Sequence, residues 1–420
     1  MVLMEKMNDE YKLIDNISKE LHSLNKRHGS EYYTNNIHKY PAKMIMKIPS
    51  VIIPRLSNEQ DLILDPFCGS GTVMLEAELK NRNAIGFDIN PLAVLISRVK
   101  TTPLDRRVLS RFRNKLKASL EEQNKNLNEL NLPNLPNRNY WFSRSAERQL
   151  ATILFEIKKI KNKKYYDFFM LCFSTCIRYA SRADPDIVPP VISKKMRKIL
   201  KTRRHSVKRY FLSVVDKNIK RILTLPSKNY NGVNISVADS RKMNINDESI
   251  DLVLTSPPYI SAQKYPRSLK LEMFWTDLID NNKYQKLDKS TIGTEKVILS
   301  ENINIDNEPD TLKEFLGLVD KQDHQRYIIT RNYFLDMKEV INEIYRVLKK
   351  EHYFVLLIGE NTVCGIRAPT AKVLSKYAEQ KGFISVAIIN DEIKNFGFMT
   401  KRNKNAGIIQ NEKLLIFKKY

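Results

Sequence analysis

Residues 255–259 read Thr255-Ser256-Pro257-Pro258-Tyr259 and follow directly on the strand-like run Ile250-Asp251-Leu252-Val253-Leu254. Two prolines fix φ and carry no N–H, so the carbonyl oxygens around them are left free to accept hydrogen bonds. The Ser256 hydroxyl adds an acceptor, and the Tyr259 ring adds a stacking face. A rigid, shallow pocket of this kind suits a flat group bearing an exocyclic –NH2, such as a nucleobase rotated out of its duplex. A Pro-Pro pair also makes an ordinary strand-end turn, and taken alone these five residues fit either reading.

A second chemical feature lies far upstream. The apolar run Leu62-Ile63-Leu64 leads into Asp65-Pro66-Phe67-Cys68-Gly69-Ser70-Gly71-Thr72 and then the helical pattern Val73-Met74-Leu75-Glu76-Ala77. Glycines in such a turn let the backbone approach a ligand, and the helix start offers N–H donors. The segment has neither the Gly-x-Gly-x-x-Gly dinucleotide fingerprint nor the lysine of a phosphate loop, which argues against NAD and ATP. The next strand, Ala84-Ile85-Gly86-Phe87-Asp88, ends in an acid placed to accept from both hydroxyls of a ribose. A third strand, Val233 to Ala238, ends at Asp239, suited to an adenine amino group. Capping of the following helices is the alternative role for both acids.

Together these residues resemble the S-adenosylmethionine-dependent DNA amino-methyltransferases that modify cytosine N4 or adenine N6. The family's cofactor motif of the Asp-Pro-Phe-x-Gly-x-Gly-Thr kind matches Asp65, Pro66, Phe67, Gly69, Gly71 and Thr72. Its ribose contact matches Asp88, its adenine contact Asp239, and its catalytic (Asp/Asn/Ser)-Pro-Pro-(Tyr/Phe/Trp) motif Ser256, Pro257, Pro258 and Tyr259. The segment His38-Lys39-Tyr40-Pro41-Ala42-Lys43 is similar to the family's N-terminal motif, which implies that Tyr40, Pro41 and Lys43 face the methionine part of the cofactor. A longer stretch, from Lys264-Tyr265 through Leu271 and Trp275 to Ile292-Gly293-Thr294-Glu295, is also similar to this group. The resemblance covers roughly residues 30–100 and 233–420. It implies S-adenosyl-L-methionine as cofactor, duplex DNA as substrate and a restriction–modification role with a cognate endonuclease. The serine form of the catalytic motif is typical of cytosine-N4 enzymes, whereas adenine-N6 enzymes mostly carry aspartate there.

The chemistry expected of such a pocket is modest. An exocyclic amine is a poor nucleophile because its lone pair is delocalised into the ring. Acceptors on Ser256 Oγ and the Pro257 carbonyl would favour a more tetrahedral nitrogen, with Tyr259 stacked on the base. The enzyme then supplies mainly proximity and orientation for a direct, in-line transfer without a covalent intermediate. No Pro-Cys dipeptide occurs, so the thiolate addition used for cytosine-C5 methylation is not expected.

Composition sets the frame for these motifs. A chain of 420 residues exceeds one ordinary core and suggests two domains. Its formal charge of +24 points to a polyanionic partner, nucleic acid first and a charged membrane surface second. No apolar run reaches the roughly eighteen residues of a spanning helix and no signal peptide opens the chain, so a cytoplasmic, nucleoid-associated protein without a membrane role is expected. Four scattered cysteines (Cys68, Cys172, Cys176, Cys364) suit a reduced compartment, and Cys172 and Cys176 read as one face of a buried helix. No histidine pairs with a cysteine at zinc spacing, so no metal is expected.

Alternating strands and helices predict an α/β fold: a Rossmann-like sheet closed by an antiparallel hairpin at Phe383–Ile389 and Leu414–Phe417, plus an inserted, mainly helical basic domain. The expected division is an N-terminal arm over 1–29, a catalytic domain over 30–102 and 231–420, and the insertion over 103–230. In the arm, Leu13, Ile17, Leu21 and Leu24 lie at helical spacing and read as a docking helix or a frayed segment. Residues 101–230 hold thirty Lys+Arg against ten Asp+Glu, so they carry twenty of the chain's 24 surplus positive charges. The densest run is Lys194-Lys195-Met196-Arg197-Lys198, followed by Lys201, Arg203, Arg204, Lys208 and Arg209. A charge run is usually a solvated helix face. So large a surplus in one insertion favours phosphate binding. Residues 260–330 lack regular periodicity and read as a long loop, a second candidate for target recognition or a lid. Asp184-Pro185-Asp186 with Lys194 and Lys195 hints weakly at a nuclease pattern. An RNA amino-methyltransferase and a DNA-binding protein with a vestigial pocket complete the competing readings.

Overall fold

The structure is a computed structural model that describes residues 2–24, 32–41, 43–122, 130, 132–187, 189–199, 206–226, 232–260, 265–296, 305–392 and 411–420. The expected positions Ala42, Lys201, Arg203, Arg204 and Lys264 lie outside the described residues. The chain opens with α1 (Val2–Ser23), which buries Ile17 and Leu21 beside α2 (Lys47–Leu56). Glu20 on α1 accepts from Arg55 Nε at 3.2 Å and Nη2 at 2.9 Å, so the docking-helix alternative is the one realised.

An alternating segment follows: β1 (Leu62–Asp65), α3 (Thr72–Leu79), β2 (Asn83–Asp88) and α4 (Pro91–Lys100). Asn90 caps α4 by accepting from the Leu92 N–H at 3.0 Å, and Pro91 stands in the first turn, where a missing N–H costs nothing. Six helices come next: α5 (Arg106–Glu122), α6 (Arg138–Trp141), α7 (Arg144–Lys158), α8 (Lys163–Ala180), α9 (Lys194–Ile199) and α10 (Val207–Ile222). Helix α8 is apolar on nearly every side. Phe168, Phe169, Cys172, Phe173 and Cys176 are fully buried among α4, α7 and α10. All four cysteines are free thiols. Arg113 on α5 grips both oxygens of Asp216 on α10 at 2.8 Å. Asp184 accepts from Ser193 Oγ and Asp186 pairs with Lys195 at 3.1 Å, so these carboxylates close the turn into α9 and do not gather at a nuclease-like site.

The chain then returns to the sheet with β3 (Val233–Val237) and β4 (Ile250–Thr255). Beyond β4 the structure corrects the expected long loop. Four helices occupy much of it: α11 (Tyr265–Ser268), α12 (Lys270–Trp275), α13 (Asn281–Ser290) and α14 (Asp310–Asp320). Helix α13 buries only Tyr284 and Leu287, too few to mark a helical period. Helix α14 does carry one, with Leu312, Phe315, Leu316 and Val319 buried at i, i+3, i+4 and i+7. Next comes α15 (His324–Val347), capped by Asp323 accepting from Arg326 N–H at 3.0 Å. The remainder is β5 (Leu348–Gly359), the short pair β6 (Thr362–Val363) and β7 (Ile366–Arg367), α16 (Thr370–Lys381), β8 (Phe383–Glu392) and β9 (Asn411–Lys419).

Seven strands form one sheet in the order β3-β2-β1-β4-β5-β9-β8. β1 to β5 are parallel, and β9 runs antiparallel between β5 and β8. The side-chain period of two sorts its faces. Leu252, Leu254, Val355 and Leu357 pack toward α1 and α2, while Val253, Phe354 and Leu356 pack toward α14, α15 and α16. A third apolar cluster joins α4 to α5, α7, α8, α10 and α12, so the basic helices share a core with the underside of the sheet unit. This is the expected Rossmann-like sheet with its antiparallel hairpin. Among the described residues no helix is long and apolar enough to cross a membrane. Strand order reverses between β1 and β4, and the crevice at their carboxyl ends is where such sheets bind ligands.

Candidate active site

The reversal point is held shut from behind. Asp65, at the end of β1, accepts from Thr255 Oγ1 on β4 at 2.6 Å and from Phe67 N–H at 3.0 Å. Burial drives its carboxyl up to about 7 despite both hydrogen bonds. The turn that follows needs two left-handed glycines, Gly69 at φ +48° and Gly71 at φ +73°. Their surroundings differ. A Cβ on Gly69 would stand 3.3 Å from Tyr40 Cε1, because the Tyr40 ring lies over the turn. A Cβ on Gly71 would fall 2.1 Å from Ser97 Oγ, so this glycine serves the close approach of α3 to α4 and does not line the cleft. The Pro66 carbonyl accepts from Ser240 Oγ.

The cleft above is lined by Tyr40, Phe67, Gly69, Asp88, Asp239 and Ser256, with about 700 Å³ of empty space, open mouth included. Asp88 closes the end of β2. Its oxygens accept from the backbone N–H groups of Gly69 at 3.0 Å and Asn90 at 2.8 Å. Burial nevertheless pushes its carboxyl up to about 6. Asp239, beyond β3, behaves oppositely. Burial pushes it up, but hydrogen bonds and charge from Arg241 together hold it below the usual carboxylate range. Arg241 is itself clamped between Asp239 (2.6 Å), Asp336 on α15 (2.7 Å) and the Ser290 carbonyl (2.8 Å).

Ser256 and Pro258 form the cleft's far edge at the end of β4, with Pro257 buried behind them. Ser256 Oγ lies 3.4 Å from the Tyr259 hydroxyl, which donates to Glu412 Oε1 at 2.8 Å. A smaller cavity adjoins the cleft and shares Tyr40, Phe67, Gly69 and Ser256 with it; Lys43, Asp65, Ser70 and Thr72 complete much of its wall. Lys43 Nζ donates to the Asn35 carbonyl at 3.0 Å and to Asn36 Oδ1 at 3.2 Å. Burial, with Arg221 nearby, lowers its ammonium to about 8. Thr72 Oγ1 is buried with no protein partner, an orphaned polar atom on the wall of a cavity. Pro41 is half-buried and lines neither space.

Sequence reasoning missed several lining residues. Ser290, Thr291 and Pro266 come from the helical segment misread as a loop, and their types carry no signal of their own. Asn90 did have one, since Asp-x-Asn-Pro after a strand is a helix start. Glu412 had none.

The cleft and the adjoining cavity together suit an elongated ligand, with the carboxylates of Asp88 and Asp239 lining one part and Lys43 and the unpartnered Thr72 hydroxyl the other. S-adenosyl-L-methionine has that shape and those donors and acceptors. A sheet of this order with such a cleft at its reversal point defines an S-adenosylmethionine-dependent methyltransferase. Comparison with known proteins narrows the class. The profile of the DNA methylase family of N6 and N4 methyltransferases matches residues 4–98, the stretch from α1 through nearly all of α4. The Type II methyltransferase M.MvaI of Kocuria varians is 28% identical over 411 residues, covering 89% of this chain and 88% of its own. The Type II methyltransferase M.AvaI of a Nostoc strain is 22% identical over 91% of this chain and 85% of its own. The Type II methyltransferase M.MjaII of Methanocaldococcus jannaschii reaches 33% over 97 residues, 23% of this chain and 18% of that protein. Along nearly its whole length this chain is thus similar to Type II methyltransferases, and residues 4–98 match the DNA methylase family of N6 and N4 enzymes.

Proposed function

We propose that this chain is a site-specific DNA methyltransferase that transfers a methyl group from S-adenosyl-L-methionine to the exocyclic N4 of cytosine in duplex DNA. It would be the modification enzyme of a restriction–modification system, acting at the same site as a cognate endonuclease. The observation that carries this reading is the position of Ser256, on the wall of both the nucleoside cleft and the tail cavity. A methyl group carried between those two parts of the cofactor would be presented beside the serine hydroxyl. Serine in place of aspartate in the Pro-Pro motif favours cytosine over adenine, as the family resemblance implies.

The cofactor's sulfonium supplies an activated methyl group. The residues supply the rest. Asp88 accepts from the ribose hydroxyls, and Asp239, oriented by Arg241, accepts from the adenine amine. Lys43 and the Thr72 hydroxyl face the amino-acid tail. Ser256 Oγ and the Pro257 carbonyl accept from the cytosine amine and turn its lone pair toward the methyl group, with Tyr259 stacked on the ring. Exposed Arg111, Lys115, Lys194, Arg197 and Lys198 on the helical segment offer charge for the phosphate backbone. The boundaries of that segment at 103–230, within a catalytic unit of 30–102 and 231–420, are part of the proposal.

Incubation with labelled S-adenosylmethionine and mixed-sequence duplex DNA, then nucleoside digestion and mass analysis, tests the reading. N4-methylcytosine is the expected product. N6-methyladenine would move the target to the other base of the same family, and transfer to RNA alone would overturn the assignment of the basic surface.

A further inference from the structure

Tyr259 has a contact that stacking on a base does not require. Its hydroxyl donates to Glu412 Oε1 at 2.8 Å, and Ser256 Oγ stands 3.4 Å behind it. Glu412 lies at the start of β9, in register with Gly359 at the end of β5. Because β9 runs against its neighbours, its start reaches the same edge of the sheet as the Ser256 turn. Among the described residues, Lys413 pairs with Glu360 at 2.9 Å and Glu360 with Arg367 at 2.9 Å. Glu412, Tyr259 and Ser256 are all only partly buried.

The direction of the row follows from donor chemistry. A carboxylate only accepts, so the Tyr259 hydrogen must point at Glu412. The Tyr259 oxygen accepts from Ser256, whose own oxygen lines the cleft. We infer that Glu412 is a positioning residue for the transfer and the end of its proton path, an inference that rests on the role proposed for Ser256. As the amine nitrogen bonds to the methyl carbon, the carbon–sulfur bond breaks and sulfur keeps the electron pair. The nitrogen is left with one proton in excess. That proton passes to Ser256 Oγ as the serine proton passes to Tyr259 and the tyrosine proton to Glu412. Both hydroxyls end unchanged, and Glu412 ends neutral and returns its proton to water. A separation of 3.4 Å is long for an O–H···O bond, and catalytic hydrogen bonds commonly tighten only when substrate is bound.

Single-turnover methylation of unmodified genomic DNA by the purified full chain tests this, with binding of cofactor and DNA measured in parallel. Tyr259→Phe keeps the ring and removes only the oxygen; Glu412→Gln keeps the shape and removes the charge. Each is expected to slow methyl transfer about 10- to 100-fold with both dissociation constants unchanged. The double variant should be no slower than the worse single one, because both break the same row. Glu412→Asp should recover part of the rate. Either single variant within twofold of the parent rate, or a loss confined to binding, overturns the inference. If Ser256→Ala is inactive in that case, the base-pocket reading stands and only the relay fails. Full activity of Ser256→Ala would mean that the underlying reading failed first.

Discussion

Around Gly69 and Asp88 the groups of the candidate site are held by main-chain N–H donors from a turn twenty residues away at most, whereas around Ser256 and Tyr259 they are held by side chains. Asp88 is fixed by the amides of Gly69 and Asn90, and the turn itself by the Cys68 N–H donating to the Phe87 carbonyl at 2.8 Å. Tyr259 is fixed by Glu412, 153 residues on, and Asp239 by an arginine that also needs Asp336 and the Ser290 carbonyl. Main-chain support tolerates change in every side chain except those that permit the turn. Side-chain support is exposed to substitution at each partner, and each partner is an opportunity to alter which base is accepted.

The largest effect should come from the side-chain half. Ser256→Ala is expected to lower turnover by about 100-fold or more while calorimetric cofactor affinity stays near the parent value. Parallel loss of both would mean that the two halves are not separable. On the main-chain half, Gly71→Ala combines a φ of +73° with a methyl group 2.1 Å from Ser97 Oγ, and should cost about 2–4 kcal/mol, read as a fall in Tm. Gly69→Ala meets only a ring edge at 3.3 Å and should cost less stability but more cofactor affinity.

Asp88→Asn should weaken cofactor binding about 10- to 100-fold, the worth of charge-assisted hydrogen bonds from two hydroxyls. The pH dependence has a definite sign. With the folded carboxyl raised from 3.8 to about 6, the folded protein retains a proton that the unfolded chain has lost, so between those values rising pH costs stability. In the proposed complex ribose hydroxyls donate to the anion, so affinity should strengthen as pH climbs through about 6, and Asp88→Asn should flatten that profile. The smallest effect is expected on the basic helices. Each of Lys194→Ala, Arg197→Ala and Lys198→Ala should reduce the salt slope of DNA binding by about one if that lysine or arginine meets a phosphate. An unchanged slope in all three would move the DNA surface away from α9.

What could be read from the chain follows the same division. The strand-turn-helix of Leu62–Leu79, the acid ending β2 and the apolar runs of the hairpin strands are local patterns, and local patterns survive in sequence. Thr255 accounts for Asp65, Ser97 for Gly71 and Arg241 for Asp239, and of these only the last is near in sequence. Glu412 and Ser290 reach the site through tertiary packing and leave no periodic or compositional trace. The helices beyond β4 escaped for a different reason. α12 spends its apolar residues in one cluster, Leu271, Met273, Phe274 and Trp275, and α13 has too few to show a stripe, so neither displays a face.

The pairing of β1 with β4 also has a consequence in time. The Leu62 N–H donates to Asp251 across 189 residues of chain, and the central ladder of the sheet depends on that meeting. At a synthesis rate of about 5–20 residues per second, β1 waits roughly 10–40 s on the ribosome for its inner neighbour. During that interval the apolar underside of α4 (Leu92, Leu95, Ile96 and Val99) is presented to whatever emerges next, and what emerges next are α5 to α10, which share its core. The basic helices thus occupy the place in the chain where an early covering for the unfinished sheet is needed, before they meet any polyanion.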